Sequence, residues 1–395
     1  MKIAFIGRIV NKSGGISRYV GELVEILSQE HEIHLFANSC QDISTEKFIF
    51  HKIPMIQGNF FLKRRQKGLA TILQVYSFAL MSKLKINTLN FDIVHTQGDC
   101  FVPFDVYTTH SCHKAAVKKA RKSGKGIGNF LKNTRLNPLN LIVLANEKFI
   151  FKSGNYKKII AISMVTKKEI INEYNVPEQD FVIIPHGVNF TEFNIEKKQA
   201  FRNNINIKYG FSPEDIIILF VANEFKRKGL RYLIEALPLV NNDKAKILVV
   251  GSSDERDFVR LADKLGIKEK VIFAGASSKV AEFFLAADIF CFPTLDEPFG
   301  LVIIEALGAG LPTITSKIAG AAELIQDGKS GLLLDDPTSP QEIASKINLL
   351  LNNKQLMTQI SKEAITTALK YSWQEIAKRT LEVYKEVEHP GSFRR

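Results

Sequence analysis

The sequence predicts an α/β protein built from two doubly wound, Rossmann-like parallel sheets, and three observations carry that expectation. The N-terminal stretch reads strand, glycine loop, amphipathic helix, strand. After residue 215, short apolar runs alternate regularly with helical patterns. The length of 395 residues exceeds one ordinary core, so two domains of about 150 to 200 residues are expected. Their expected extents are 1–188 and 189–372, facing each other across a cleft, with a helix at 373–390 crossing back to the first domain.

In chain order, Lys2–Gly7 reads as a strand leading into the loop from Arg8 to Gly15. Ile16, Tyr19, Val20, Leu23, Val24 and Leu27 then fall on one helical face, and Glu32–Phe36 is the next strand. Gly14 and Gly15 have a physical use, because residues without Cβ let backbone amides approach a phosphate at a helix N-terminus. The loop is not GxGxxG, and no acidic residue closes the second strand to hold a nicotinamide-cofactor ribose. A helix with a basic start is expected over 60–85, and strands at Phe91–His95 and Tyr107–His110. Two further strands, Ile159–Ser163 and Phe181–Ile184, flank the helix Thr166–Tyr174. Pro185–Asn189, followed by the polar stretch from Thr191 to Lys208, is the clearest domain boundary. Beyond it strands are expected at 215–221, 246–250, 271–274, 289–292, 313–316 and 331–334. The helices between and after them fall at 229–240, 255–265, 279–286, 299–309, 320–326, 340–351, 354–370 and 373–388.

Charge is divided unevenly. Residues 1–190 carry 26 Lys/Arg against 14 Asp/Glu, whereas residues 191–395 carry 27 of each, so the whole net charge of +12 belongs to the first half. That asymmetry calls for an anionic partner. Between Lys114 and Arg135 lie eight Lys/Arg, no acid and a single aromatic, Phe130. So few aromatics argue against base stacking on nucleic acid and favour an anionic membrane surface, docked through 60–85 and 114–135. No run of apolar residues is long enough to span a bilayer, and the N-terminus reads as a strand rather than a signal peptide. A cytoplasmic protein, peripheral to the inner face of the membrane, is therefore expected. The four cysteines lack CxxC spacing and fit reduced thiols. His95, Cys100, His110, Cys112 and His113 lie close in sequence, but they form no compact pair of ligand pairs. His110, at a strand's C-terminal end, stands where open α/β sheets bind ligands.

The densest chemistry lies in residues 293–306. A buried strand breaks at Pro293, turns through Asp296 and Glu297, and enters an apolar helix interrupted only by Glu305. Pro298 is expected in the helix's first turn, where its missing N–H costs nothing. A carboxylate inside an apolar surface needs a hydrogen-bonding partner. The loop from Asn223 to Gly229 holds three consecutive cations, Lys226, Arg227 and Lys228, at the same sheet edge. Cations beside a helix N-terminus read as a diphosphate clamp.

These residues resemble a known family, the retaining glycosyltransferases of the GT-B fold, family 4. The most specific piece is Glu297-Pro298-Phe299-Gly300-Leu301-Val302-Ile303-Ile304-Glu305, which resembles the family's E-x7-E motif. Gly14-Gly15 followed by Arg18 resembles its glycine loop, and Pro185-His186-Gly187-Val188 its interdomain segment. Arg227-Lys228-Gly229 is similar to the lipopolysaccharide core glucosyltransferases, and Trp373 to the start of the helix that crosses back. Asn223 departs from the pattern, since many members carry arginine there, five positions before the lysine; Arg227 is expected to supply that cation.

The resemblance implies a nucleotide-diphosphate sugar as donor, with UDP the expected base, and a membrane-associated glycan or glycolipid acceptor. Glu305 is implied to bind the ribose; Glu297, with the amides of Phe299 and Gly300 at the head of Leu301's helix, the sugar; Arg227 and Lys228 the diphosphate. Gly14 and Gly15 would approach the phosphate, and His110 the reacting sugar and acceptor. The catalytic set is thus His110, Arg227, Lys228 and Glu297. No cofactor beyond the donor is expected, and no metal, because cations and helix ends do its work. Three alternatives stay open. A hydrolysing sugar-nucleotide 2-epimerase shares the fold, a nucleic-acid-binding protein would explain the charge, and a catalytically silent relative would bind a sugar nucleotide without turnover.

Overall fold

The computed structural model describes residues 1–388 apart from 13, 57–66, 87–89, 99–103, 123–137 and 194. The chain divides into two compact units, Met1–Pro185 with Ile376–Arg395, and His186–Glu375.

Unit 1 begins with β1 (Lys2–Ile6), β2 (Ile9–Val10), α1 (Gly15–Leu27), β3 (Glu32–Ala37), β4 (Ser39–Cys40), β5 (Ile49–Lys52) and α2 (Lys67–Ile86). It continues with β6 (Ile93–Thr96), β7 (Val106–Thr109), α3 (His113–Lys122), α4 (Pro138–Ile150), β8 (Lys158–Ala161), α5 (Met164–Tyr174) and β9 (Phe181–Ile183). Seven strands form one open parallel sheet in the order β5-β3-β1-β6-β7-β8-β9, with β2 and β4 paired apart from it. Ile3, Ala4, Phe5, Ile6, Ile33 and Leu35 are almost wholly buried, as strands covered on both faces require.

Unit 2 holds α6 (Lys198–Tyr209), β10 (Ile216–Val221), α7 (Leu230–Ala236), β11 (Ala245–Val250), α8 (Arg256–Lys264), β12 (Val271–Gly275), α9 (Val280–Ala286) and β13 (Ile289–Phe292). After it come α10 (Leu301–Gly308), β14 (Thr313–Ser316), β15 (Leu332–Leu334), α11 (Pro340–Asn352) and α12 (Lys354–Leu369). Its six strands run β12-β11-β10-β13-β14-β15, again parallel and open. The last helix, α13 (Trp373–Glu388), starts in unit 2 and belongs to unit 1 from Ile376 onward.

In each sheet the chain moves outward from a first strand and then returns to that strand's other side. Strand order therefore reverses between β1 and β6 in unit 1, and between β10 and β13 in unit 2. At such a switch point the two neighbouring loops diverge and leave a crevice outside the strands' C-terminal ends. Every expected site residue except Glu305 lies in the first turn of a helix or in a loop on that edge.

Several local expectations are corrected. The polar stretch 191–208, read only as part of the domain boundary, is mostly α6, whose Arg202 donates from Nη1 to Asp288 Oδ2 at 2.8 Å, and whose end is set by Gly210 at φ +73°. Its apolar residues are few because only one side meets α9, where Tyr209 packs on Phe283. The helix expected to run to Val240 stops at Ala236, because Pro238 cannot continue the hydrogen-bond ladder. The stretch 320–326 forms a short 3-10 turn at Gly320–Leu324 rather than an α-helix. Pro298 lies before α10 and not in its first turn, since Gly300 is the N-cap.

Candidate active site

Unit 2 builds its site from the loops that follow β10 and β13. The first loop is rigid for reasons visible in its bonds. Asn223 Oδ1 accepts from the backbone N–H and the hydroxyl of Ser252, both at 3.2 Å, tying it to the loop after β11. Phe225 is buried against Phe258 and Phe220. The loop closes at Gly229 with φ +76°, where a Cβ would lie 1.9 Å from the Pro293 carbonyl oxygen. Glycine is therefore required there twice over, by conformation and by the close approach of the second loop.

The three cations do not act as one patch. Lys226 turns outward to Asp257 at 2.9 Å. Arg227 donates from Nε to Glu224 at 3.1 Å, pairs with the same carboxylate through Nη2, and donates from Nη1 to the Asp296 carbonyl at 2.7 Å. Burial opposes the Arg227 charge, but Glu224 outweighs it and raises the guanidinium's pKa. Lys228 is the buried cation. Its Nζ lies 2.5 Å from Glu297 Oε2 and donates to the Asp296 carbonyl at 3.1 Å, above the ring of Phe292. Burial lowers its pKa while Glu297 pulls the other way. The Leu295 amide donates to the Arg227 carbonyl at 3.0 Å, so the two loops are stitched through backbone as well as charge.

The second loop enters α10 through Gly300 at φ +99°, where a Cβ would lie 3.1 Å from Glu297 Cγ. The carbonyls of Glu297 and Phe299 accept from Gly320 and Ala321, fixing the loop against the turn after β14. Phe299 is buried beside His186, with ring centroids 5.0 Å apart. Leu301 and Glu305 stand one helical turn apart on α10, both partly exposed among buried neighbours. Asn223, Arg227, Lys228, Glu297, Phe299, Gly300, Leu301 and Glu305 thus meet around one sheet edge. The pairing of Lys228 with Glu297, and the roles of Glu224 and Asp296, were not legible beforehand; the acidic residues beside the cations were the available signal.

The other expected residues lie in unit 1. Gly14 is the N-cap of α1 at φ +94°, and its carbonyl accepts from the Arg18 amide at 3.1 Å. Arg18 is largely buried, with Nε 3.5 Å from Glu22. His110 follows β7; its Nε2 is 2.7 Å from Gln97 Oε1, and its ring meets Tyr19 edge-on at 5.2 Å. Burial pushes the His110 pKa down to about 3, which keeps the ring neutral. Behind it stands a buried polar cluster that sequence reasoning missed. His95 Nε2 is 2.7 Å from Thr108 Oγ1 and 3.3 Å from Gln97 Nε2, and its Nδ1 is 2.6 Å from the Tyr384 hydroxyl of α13. The weighed metal cluster does not assemble among the described residues: His95 and His110 turn to Gln97, and His113 to Asn140. Cys100 lies outside them.

The Lys228–Glu297 pair yields a stability test. With side chains only 7% and 16% exposed, loss of one partner strands the other charge, at a cost of about 3–5 kcal/mol. Lys228→Ala and Glu297→Ala should each destabilise unit 2 in this range. The double substitution should cost clearly less than the sum in denaturant titrations, and additive losses would contradict the pairing.

Comparison with known proteins gives this geometry its context. Residues 13–192 match the model described as Glycosyltransferase Family 4, and residues 201–367 that described as Glycosyl transferases group 1. An uncharacterized glycosyltransferase of Methanocaldococcus jannaschii, MJ1607, is 33% identical over 58% of this chain and 60% of its own length. The lipopolysaccharide glucosyltransferase WaaG of Escherichia coli K12 is 30% identical over 54% of this chain and 58% of its own. The chain thus spans about 60% of the length of these curated relatives. In fold, the crystal structure of WaaG superposes with a TM-score of 0.77, covering 97% of this chain and 99% of that one at 22% identity. Anabaena HepE in complex with UDP and glucose gives 0.70, covering 98% and 100% at 19% identity. Two open parallel sheets, a glycine loop, a cation pair and an E-x7-E helix, matched by family models over both halves, place the chain in the GT-B glycosyltransferases of family 4 and group 1.

Proposed function

We propose that this chain is a retaining glycosyltransferase that moves a sugar from a nucleotide-diphosphate sugar to a membrane-associated glycan or glycolipid. The observation that carries the reading is the cation pair Arg227–Lys228 locked against the Asp296–Glu297 loop at the unit 2 switch point. Cations held in place before the donor arrives lose little to reorganisation as charge builds on a departing diphosphate. In the proposed complex the diphosphate becomes a second anionic partner for Lys228, and Glu297 turns to a sugar hydroxyl. Glu305 accepts from the ribose hydroxyls, and the amides of Phe299 and Gly300 support the sugar. Asn223 orders the cation loop through Ser252 rather than binding phosphate itself, and Arg227 is the second cation. Gly14, Gly15 and Arg18 offer unit 1's helix start to the donor phosphate, and neutral His110 accompanies the reacting sugar.

The proposed chemistry balances without a metal. The bond between the anomeric carbon and the diphosphate oxygen breaks, the acceptor oxygen joins from the same face, and the acceptor's proton passes to the departing phosphate. A UDP-sugar is the proposed donor, in keeping with the UDP in the HepE complex. WaaG, named for lipopolysaccharide, supports a cell-envelope acceptor. Glu305→Ala should weaken donor binding at least tenfold. The double variant Arg227→Ala/Lys228→Ala should abolish turnover, one such contact being worth about 3 to 4 kcal/mol in the transition state. Calorimetry with UDP-sugars showing wild-type affinity in both variants would remove the site assignment.

The membrane part of the proposal rests on α2. Leu73, Tyr76, Leu80 and Leu84 are exposed on one face of it, flanked by exposed Lys83 and Lys85. An apolar stripe edged by lysines suits an anionic bilayer interface. The basic stretch of α3 supports it less, because Lys118 and Lys119 pair with Glu173 and Glu169 of α5. Residues 60–66 and 123–135, also part of the expected docking face, lie outside the described residues. The protein should co-sediment with anionic vesicles at low salt, and Leu80→Glu/Leu84→Glu should lose that binding. Equal retention by neutral and anionic vesicles would count against it.

A further inference from the structure

The cluster behind His110 has an order that its protons dictate. His95 is fully buried and kept neutral, its pKa pushed down to about 3 by burial, so one ring nitrogen carries a proton and the other accepts. Gln97 reaches both histidines, with Oε1 at 2.7 Å from His110 Nε2 and Nε2 at 3.3 Å from His95 Nε2. A carboxamide oxygen only accepts and a carboxamide NH2 only donates. Its orientation therefore settles both rings together. The Gln97 NH2 and the Thr108 hydroxyl donate to His95 Nε2, His95 Nδ1–H donates to the Tyr384 oxygen, and His110 Nε2–H donates to Gln97 Oε1. Tyr19 completes the cluster, its hydroxyl 3.3 Å from Thr108 Oγ1. Rotating the Gln97 amide by half a turn would reverse every one of these roles, so the two histidines always carry opposite tautomers.

We infer that Gln97 is a positioning residue whose amide couples His95 to His110 and holds His110 as its Nε2–H tautomer, with Nδ1 as the ring's acceptor. The network reaches the far end of the chain, because the Tyr384 hydroxyl that meets His95 Nδ1 lies on α13, 289 residues away, and can donate or accept as the ring requires. Within unit 1, His95 thereby links α13 to the histidine on the sheet edge. The tautomer assignment stands on the hydrogen-bond geometry of two neutral rings, and its catalytic consequence rests on the proposed transferase reading. There, Nδ1 of His110 accepts a hydrogen bond from a hydroxyl of the reacting sugar or acceptor, and the wrong tautomer presents a donor instead.

Long-range proton–nitrogen NMR on protein carrying 15N-histidine reads each ring's tautomer, with His110 assigned by its own substitution. The wild type should show His110 as Nε2–H and His95 as Nδ1–H. Gln97→Glu keeps the acceptor toward His110 and should keep the Nε2–H tautomer; Gln97→Met, of similar size, should leave His110 in mixed tautomers. In transfer assays Gln97→Met should lower kcat roughly 10- to 100-fold, the scale of a misplaced reacting group, with the KM for donor unchanged and most activity retained in Gln97→Glu. Tyr384→Phe removes the hydroxyl that meets His95, so a shift of the His110 resonances in that variant reports the relay even if a Gln97 variant misfolds. A wild-type His110 in the Nδ1–H form, or one unmoved in Gln97→Met and Tyr384→Phe, overturns the inference. The predicted tautomers in a protein that transfers no sugar would instead overturn the transferase reading and leave the relay standing.

Discussion

The ion pair between Lys228 and Glu297 is the constraint on which the rest of unit 2 depends. A lysine buried this deeply keeps its charge only if a partner is fixed beside it. The fold supplies that partner from the neighbouring strand, across the reversal between β10 and β13. Everything nearby serves the approach of those two loops. Gly229 has no Cβ because the Pro293 carbonyl occupies its place, Gly300 turns the chain into α10, and the Leu295 amide ties the loops through backbone. The outcome is a buried cation held by a carboxylate in a low-dielectric setting.

In unit 1 the polar cluster behind His110 is held in the opposite way. Its histidines, the buried His95 and the half-buried His110, are neutral, and its buried hydroxyls, Tyr19 and Tyr384, have pKa values raised by burial. Charge is replaced there by a chain of directional hydrogen bonds, in which one amide decides which atoms donate. The proposed group transfer asks for both a cationic edge suited to a diphosphate and a neutral edge suited to hydroxyls. The two edges use different physics, electrostatic preorganisation in one and tautomer selection in the other.

Much of this fold was legible in the sequence, because strands buried on both faces appear as unbroken apolar runs such as Ile216–Val221 and Ile289–Phe292. The E-x7-E stretch and the cation run were legible for the same reason: charges at a strand's end stand out against such runs. What was hidden is pairing. Nothing in the string says that Glu297 belongs to Lys228, that Arg227 is shared by Glu224 and Asp296, or that Lys118 and Lys119 are answered from α5. The α6 helix was hidden because one buried face leaves few apolar residues to see. Tyr384 was hidden because its partner lies almost 300 residues away.

The central claim, that the loops after β10 and β13 hold a sugar nucleotide, is tested most directly by hydrogen exchange with UDP-, GDP- and ADP-glucose in turn. Amides in 222–230 and 293–305 should gain protection with the donor that binds, and the wider faces of unit 2 should not. A donor that binds while protecting other peptides, or three donors that leave these two segments unchanged, would contradict the account.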